Sequence, residues 1–170
     1  ISTQIIAQIK NVRVPFNVDI GVGDIIVPCA EERTINTQLP DFEAPVIKTY
    51  SLESTIAEKF DAILQRFELT GRMKDFYDIY YLSNTFDFEG AKLQAAIFET
   101  LQRRGTPYDR DSFKRVVALA NDEDMQKRWK FFLKTIKDNT LEFPFVIAKI
   151  QTFLEPVFDA MVNEKEFQNI

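Results

Sequence analysis

Residues 51–82 carry the pattern that decides the fold of this chain, SLESTIAEKFDAILQRFELTGRMKDFYDIYYL. Apolar residues recur there every three or four positions, a spacing typical of amphipathic helices. Ser51 is a favourable N-cap for a helix that extends to about residue 67. The run from Arg72 to Leu82 predicts a second helix. The apolar stripe of the first helix consists of Leu52, Ile56, Phe60, Ile63 and Phe67.

Helical periodicity continues towards the carboxyl end. Gly105 and Pro107 should end the third helix, since glycine favours the left-handed conformation that closes many helices. Pro156 should kink the last helix or begin a new turn there, because proline donates no backbone hydrogen bond. The further predicted helices span about 89–103, 110–120 and 123–137, with a last one around 146–161.

Strand-like alternation dominates the amino-terminal part instead. A tight turn at Asn11–Val12 should join the first two of two or three strands, and a proline-containing loop should follow the third. The change of period near residue 50 divides the chain into strands and loop at 1–48 and a helical lobe at 49–170. The predicted class is α+β, mostly helical. The predicted strands are Ile5–Lys10, Val14–Val22 and Arg33–Thr37.

Composition excludes several kinds of chemistry. The chain has 170 residues with a net charge of −5, no His and a single Cys. Imidazole and thiolate metal sites are therefore excluded, and any catalytic metal must be held by carboxylates. The net charge gives no reason to expect strong nonspecific binding of nucleic acid.

The location of the protein and the extent of the chain are predicted from its apolar runs and its first residue. No apolar run approaches the roughly 20 residues that span a bilayer, and no signal peptide stands at the start. We therefore expect a cytoplasmic protein. Because the chain opens at Ile1 within a strand-like pattern and without Met, we also expect it to be part of a longer protein.

Asp19 is the first candidate for a functional residue. Period-two alternation over residues 16–24 places Phe16 and Val18 on one strand face and Asp19 on the other. Gly21, the next residue on the Asp19 face, would leave room for a ligand beside the carboxylate. This arrangement suits a metal or phosphate site. The spacing by itself favours the alternative, a solvent-facing strand residue followed by a turn.

Lys59 is the second candidate, and its position on the helix is unusual. It should project from the edge of the apolar stripe rather than from the charged face of Glu58, Asp61 and Gln65. An ammonium group at such an edge needs a carboxylate or phosphate partner.

The following helix supplies possible partners. Arg72, Asp75 and Asp78 fall at i, i+3 and i+6, so their side chains form one charged ridge on a helix. The structural alternative is an ion-pair network between packed helices, which Lys59 reaches with its long side chain. The pattern alone favours that alternative slightly.

Other features carry weaker signals. The basic residues could line a path for an anionic chain, but such clusters are usually solvated helix faces. The aromatic residues near Trp129 are typical of a core rather than of a base-stacking platform, and Cys29 is interpreted as a loop residue. The basic clusters are Arg103, Arg104 and Lys114, and Lys127, Arg128 and Lys130.

Four segments together resemble one known family. They are residues 18–28, 45–53, 56–60 and 72–79, and the last of them, RMKDFYDI, is the most specific. In order and spacing they resemble the AbiEii/AbiGii toxin family of nucleotidyltransferases. The run LQRRGTP at 101–107 and the single Trp in a late helix are also similar to that family.

The resemblance implies a fold like that of DNA polymerase beta, with a small mixed sheet and flanking helices followed by a helical lobe. Family members are the toxins of abortive-infection, type IV toxin–antitoxin pairs. They bind nucleoside triphosphates, and some transfer nucleotides to tRNA ends. We accordingly expect an NTP, an RNA such as tRNA and a cognate antitoxin as partners, and Mg²⁺ as cofactor.

Site residues follow from the same resemblance. Asp19 would match the third carboxylate of the metal site, and Lys59 would match a lysine that contacts phosphate. The family's turn of Gly-Ser or Gly-Thr followed by Asp-x-Asp has no counterpart here, since its place lies before Ile1. The 170-residue chain alone is therefore expected to be inactive. The charged helix of the site would comprise Arg72, Lys74, Asp75 and Asp78.

Two alternatives remain open at the level of sequence. The chain could be a noncatalytic binding or interaction module in which the charged helix is structural. It could also belong to a transferase that modifies a protein side chain, because the same metal chemistry serves either acceptor.

Overall fold

The computed structural model describes residues 1–22, 26–138 and 140–167. The predicted class is confirmed, since the described residues form six α-helices and four short strands. The strands are β1 (Ser2–Ile9), β2 (Val12–Asp19), β3 (Glu31–Thr34) and β4 (Val46–Thr49). The helices are α1 (Leu52–Arg66), α2 (Met73–Thr85), α3 (Gly90–Arg104), α4 (Ser112–Ala118), α5 (Glu123–Ile136) and α6 (Phe143–Val162). A lobe boundary between residues 48 and 49 stays a prediction.

The strands form two separate antiparallel pairs rather than one mixed sheet. β1 pairs with β2 and β3 pairs with β4, and no described strand joins the two pairs. The turn of the first hairpin lies at Lys10–Asn11, one residue before the predicted position. Lys10 accommodates it with a positive φ of 52°.

The second pair differs from the sequence prediction. β3 spans Glu31–Thr34, so the predicted bounds Arg33–Thr37 are wrong: the strand begins two residues earlier and ends three residues earlier. β4 was predicted as loop because it has only four residues and follows Pro45. It becomes a strand by pairing with β3, where Glu31 lies opposite Thr49.

The first hairpin has one apolar and one polar face, as its alternation predicts. Phe16 lies opposite Ile5 on the apolar face, while Asn17 lies opposite Gln4 on the other. Both Phe16 and Ile5 are exposed. The hairpin therefore contributes little to the buried core of the described residues.

Helix α1 begins where the sequence predicts and is anchored to the preceding loop. The Ser51 hydroxyl accepts a hydrogen bond from the Ser54 amide at 3.0 Å, which is N-cap geometry. The same hydroxyl donates to the Val27 carbonyl at 2.6 Å, and the Val27 amide donates to the Ser54 hydroxyl at 2.8 Å. These bonds fix the loop at 26–28 to the start of α1.

Aromatic rings fill the core between the helices. Phe158 of α6 packs against Phe60 of α1 and Phe113 of α4, with ring centroids 5.8 and 5.6 Å apart. Trp129 is buried and donates from its indole N–H to the Leu141 carbonyl at 2.8 Å. Its predicted place in the core is confirmed. Each such ring contributes about 1.5–3 kcal/mol by burial.

The structure tests the predictions made for Gly105 and Pro156. Gly105 closes α3 in the left-handed conformation with φ 64°, as predicted. Helix α6 continues without interruption through Pro156, so the prediction of a new turn there is wrong. Leu154 and Val157 beside it are fully buried, and their packing offsets the missing backbone hydrogen bond.

Candidate functional site

The predicted charged residues of α1 and α2 come together in the structure. We call Lys59, Arg72, Lys74, Asp75 and Asp78 the charged ridge. The Lys59 ammonium lies 2.5 Å from Asp78 Oδ2 and 3.4 Å from Asp75 Oδ1. Packing of α1 against α2 thus brings a lysine from one helix onto two carboxylates of the next.

Two further cations complete the charged ridge from within α2. Arg72 Nε lies 2.7 Å from Asp75 Oδ2, and Lys74 Nζ lies 2.6 Å from Asp78 Oδ2. Three cations therefore share two carboxylates. The ridge has an excess of one positive charge, which favours an additional anion nearby.

Asp75 is the least satisfied member of the charged ridge. It is only 3% exposed, and its Oδ2 has no hydrogen bond even though Arg72 Nε is 2.7 Å away. The two observations agree if the Arg72 N–H points past the oxygen, so that the contact is Coulombic rather than a directed hydrogen bond. A buried acceptor without a directed donor costs about 1–3 kcal/mol.

Exposure increases outward along the cations. The side chain of Lys59 is 18% exposed, that of Arg72 55% and that of Lys74 72%. The carboxylates therefore contact the cations on the side facing the protein interior, while the side chains of Arg72 and Lys74 extend into solvent. An anion that approaches from solvent would meet these two side chains first.

Asp19 lies at the end of β2, exposed and opposite Ser2. No hydrogen bond or ion pair joins it to Lys59 or to α2 among the described residues. Of the segment 16–24 that suggested its role, residues 23 and 24 lie outside the described residues. The assignment of Asp19 to a metal site stays a prediction.

The described residues do not by themselves fit a magnesium site. Within residues 1–22, 26–138 and 140–167, no three acidic or cysteine side chains are grouped so as to hold a metal ion. Asp75 and Asp78 both contact Lys59, and Mg²⁺ requires near-octahedral oxygen coordination. We therefore assign no chemical step to a metal ion.

An Asp-x-Asp pair does occur at Asp109 and Asp111, shortly after Gly105, but its geometry is that of a helix start. Asp109 Oδ1 accepts from the Asp111 amide at 2.9 Å and from the Ser112 hydroxyl at 3.0 Å. These hydrogen bonds, that from Ser112 first, lower the pKa of Asp109. Asp111 pairs with Lys114 at 2.8 Å. Both carboxylates thus make local contacts at the amino-terminal end of α4.

Asp61 is a residue whose environment the sequence did not indicate. It was predicted on a charged face of α1, but it is fully buried. The Thr106 hydroxyl donates to Asp61 Oδ1, and Gln65 Nε2 donates to Asp61 Oδ2 at 2.9 Å. Arg104 Nε lies 3.5 Å from Asp61 Oδ2. The prediction was wrong because α3 covers this side of α1, and Thr106 is 45 positions away in sequence.

Comparison with known families identifies the class of the protein. A family model described as nucleotidyl transferase AbiEii toxin, type IV TA system, matches residues 1–164. The family is one of nucleotidyltransferases. The chain belongs to this AbiEii toxin family, as the resemblance of residues 18–28, 45–53, 56–60 and 72–79 predicted.

The remaining comparisons add no relative. No curated protein and no solved structure matches the chain significantly. The toxin–antitoxin family implies a nucleotide substrate and a paired antitoxin. Among the described residues, no helix is both long and apolar enough to cross a membrane.

Proposed function

We propose that the protein transfers a nucleotide from a nucleoside triphosphate to an RNA acceptor such as tRNA. In this proposal it is the toxin of an abortive-infection pair and acts in the cytoplasm. The observation that carries the proposal is the charged ridge, in which three cations surround the buried Asp75 and the partly exposed Asp78 within a chain of a nucleotidyltransferase family.

The cations of the charged ridge retain hydrogen-bond donors for phosphate. The Lys59 ammonium has three N–H donors, and only two carboxylates contact it. The Arg72 guanidinium has five, and it faces Asp75 through Nε and Nη2 alone. A triphosphate could therefore bind both side chains without breaking their existing pairs. Charge-assisted bonds of this kind are the stronger ones.

The two carboxylates act in the proposal as positioning residues. Asp75 holds Lys59 and Arg72, and Asp78 holds Lys59 and Lys74. Cations that are already oriented stabilise the charge that develops on phosphate without further reorganisation. Lys59, Arg72 and Lys74 then neutralise the triphosphate during transfer.

The test is to incubate the full-length protein with labelled nucleoside triphosphates and cell extract. We expect label in a species that ribonuclease removes. Arg72→Ala should reduce the labelling rate about tenfold or more, since one charge-assisted contact is lost in the transition state. The matched control is Lys92→Ala, because Lys92 pairs with Glu89 on the surface of α3.

Two other results would contradict the proposal. Label that a protease removes, and that ribonuclease leaves in place, would identify a protein side chain as the acceptor. An absence of any labelled macromolecule with the wild-type protein would support a noncatalytic binding module. Equal labelling rates for Arg72→Ala and Lys92→Ala would show that Arg72 of the charged ridge does not contribute to nucleotide transfer.

A further inference from the structure

A groove of about 530 Å³ lies between the start of α2 and helix α5. We call it the α2–α5 groove. Arg72 and Lys74 belong to both the charged ridge and the wall of this groove. A molecule bound along the groove would therefore end at the charged ridge.

The wall of the α2–α5 groove is cationic. None of its described lining residues is acidic, and four of them are basic. Arg128 donates to the backbone carbonyls of Glu68 and Thr70 at 3.0 and 2.8 Å. Asp124 attracts it only through a Coulombic interaction, which lowers the pKa of Asp124 less than the contact with Lys127 does. The four basic residues are Arg72, Lys74, Lys127 and Arg128.

The other basic residues of the groove do lie within ion-pair distance of carboxylates, as Arg72 does with Asp75 and Lys74 with Asp78. Outside the groove, Arg104 pairs with Glu58 and lies near the buried Asp61, so its charge is balanced within the fold. Lys127 of the groove also has acidic neighbours, Asp124 at 3.0 Å among them, but both side chains are largely exposed. Exposed pairs are weak and exchange readily with other anions. The groove thus offers cations in a chain whose net charge is −5.

Phe131 lies on the α5 side of the groove with 72% of its surface exposed. Its ring packs on no other described aromatic ring, whereas the neighbouring Phe132 packs against Tyr77 and Trp129. Phe132 holds this part of α5 against the core, and Phe131 is left as a flat apolar surface in water. Exposed aromatic rings between cations are the usual platform for single-stranded nucleic acid.

We propose that the α2–α5 groove binds the single-stranded RNA segment next to the acceptor hydroxyl, with a base stacked on Phe131. The inference rests on the proposed function, because it assigns a place to the acceptor of that reaction. Charge complementarity supports RNA as the occupant, since a polyanion matches the cationic wall. Stacking on a ring is independent of base identity, so Phe131 contributes affinity without sequence readout.

Binding of a labelled 12-nucleotide single-stranded RNA to the full-length protein tests this directly by fluorescence anisotropy. Phe131→Ala should weaken binding about tenfold, the loss that corresponds to one stacked base. Phe98→Ala is the matched control, because Phe98 is 41% exposed on α3. Its dissociation constant should stay within about twofold of the wild-type value.

Two further variants separate stacking from other causes. Phe131→Trp should preserve binding and Phe131→Leu should not, since leucine is apolar but cannot stack. Lys127→Gln should reduce the slope of log affinity against log salt concentration by about 0.7, the value for one phosphate contact in a single strand. Lys92→Gln on α3 should leave that slope unchanged, because Lys92 lies outside the groove and pairs with Glu89. The same RNA annealed to its complement should bind Phe131→Ala and wild-type protein equally.

The outcomes distinguish this inference from the proposed function. Equal binding of RNA by Phe131→Ala and Phe98→Ala would overturn the inference that the groove binds RNA, even if the wild-type protein transfers nucleotides. Full RNA binding by Phe131→Leu would also overturn it, because the affinity would then not depend on stacking. Weakened RNA binding in Phe131→Ala would support the groove even if no transfer is observed. In an active protein, Phe131→Ala should raise the KM for RNA and leave the KM for the triphosphate unchanged.

Discussion

Two buried aspartates on neighbouring helices have opposite surroundings. Asp61 of α1 receives its hydrogen bonds from two neutral groups, the Thr106 hydroxyl and the Gln65 amide, while the Arg104 cation lies farther away at 3.5 Å. Asp75 of α2 is held by the long cations Lys59 and Arg72, and its Oδ2 has no hydrogen bond. Asp61 therefore joins α1 to the end of α3, whereas Asp75 holds cations that can reach solvent.

The nature of the groups around each aspartate distinguishes a carboxylate that supports the fold from one that can orient cations in a binding site. Neutral donors carry no charge with which to bind a second anion, so the loss of Asp61 should affect chiefly the stability of the fold. Cations that extend to solvent can bind a second anion while they remain paired. The surroundings of each carboxylate, rather than its burial, indicate which role it has.

The largest expected effect is that of Asp61→Ala on stability. The change leaves the Thr106 hydroxyl and the Gln65 amide without their buried acceptor and weakens the contact of Arg104. We expect a loss of about 3 kcal/mol in the free energy of unfolding, or roughly 6–12 °C in Tm. Asp75→Ala should lose less, about 1–2 kcal/mol, because Arg72 can turn to water. Urea unfolding of both variants measures the difference. Equal losses of stability would contradict the different roles assigned to Asp61 and Asp75.

The substitution Lys59→Met tests whether the lysine of the charged ridge serves phosphate or only the fold. Methionine keeps much of the apolar stem, and Arg72 and Lys74 remain within 2.7 and 2.6 Å of the two carboxylates. We therefore expect a folded protein whose transfer rate or toxicity falls at least tenfold, from the loss of roughly 1.5–3 kcal/mol in the transition state.

The structural interpretation of Lys59 predicts the opposite result. If the lysine is locked in a buried ion pair, its removal should cost about 3–5 kcal/mol of stability. Thermal unfolding measured beside the transfer rate decides between the two. A large fall in Tm would refute the assignment of Lys59 to phosphate.

The smallest expected effect concerns a third aspartate, the exposed Asp109. Its pKa is lowered chiefly by the hydrogen bond from the Ser112 hydroxyl, so Ser112→Ala should raise that pKa towards its ordinary value. Because the folded pKa is depressed, the contribution to stability is present above the ordinary pKa and is lost as pH falls through the folded value. An NMR titration measures the shift. The pKa of Asp124, lowered mainly by Lys127, should not change in this variant.

Much of the helical structure was predictable because its causes are local. The apolar stripe of α1, its Ser51 N-cap and the glycine that ends α3 all act within a few residues. The strands were less predictable. β4 has four residues and becomes a strand only through its partner β3, so neither its existence nor its register follows from its own sequence.

The candidate site likewise has features that follow from local sequence and features that depend on tertiary packing. The spacing of Arg72, Asp75 and Asp78 places them on one face of any helix, and the structure pairs Arg72 with Asp75 accordingly. The contact of Lys59 with both carboxylates depends on how α1 crosses α2, which the sequence only suggested. Composition could not distinguish the exposed ring of Phe131 from the buried Trp129 and the partly buried Phe132.

The helices of this protein, the shared face of the α2 charges and the family were all predictable from local periodicity and motif order, because these are properties of neighbouring residues. The burial of Asp61 and the position of Phe131 in a cationic groove were not, since both arise from tertiary packing. Both depend on which helices pack beside α1 and α5, and contacts between distant segments are set by the free energy of the whole packed core.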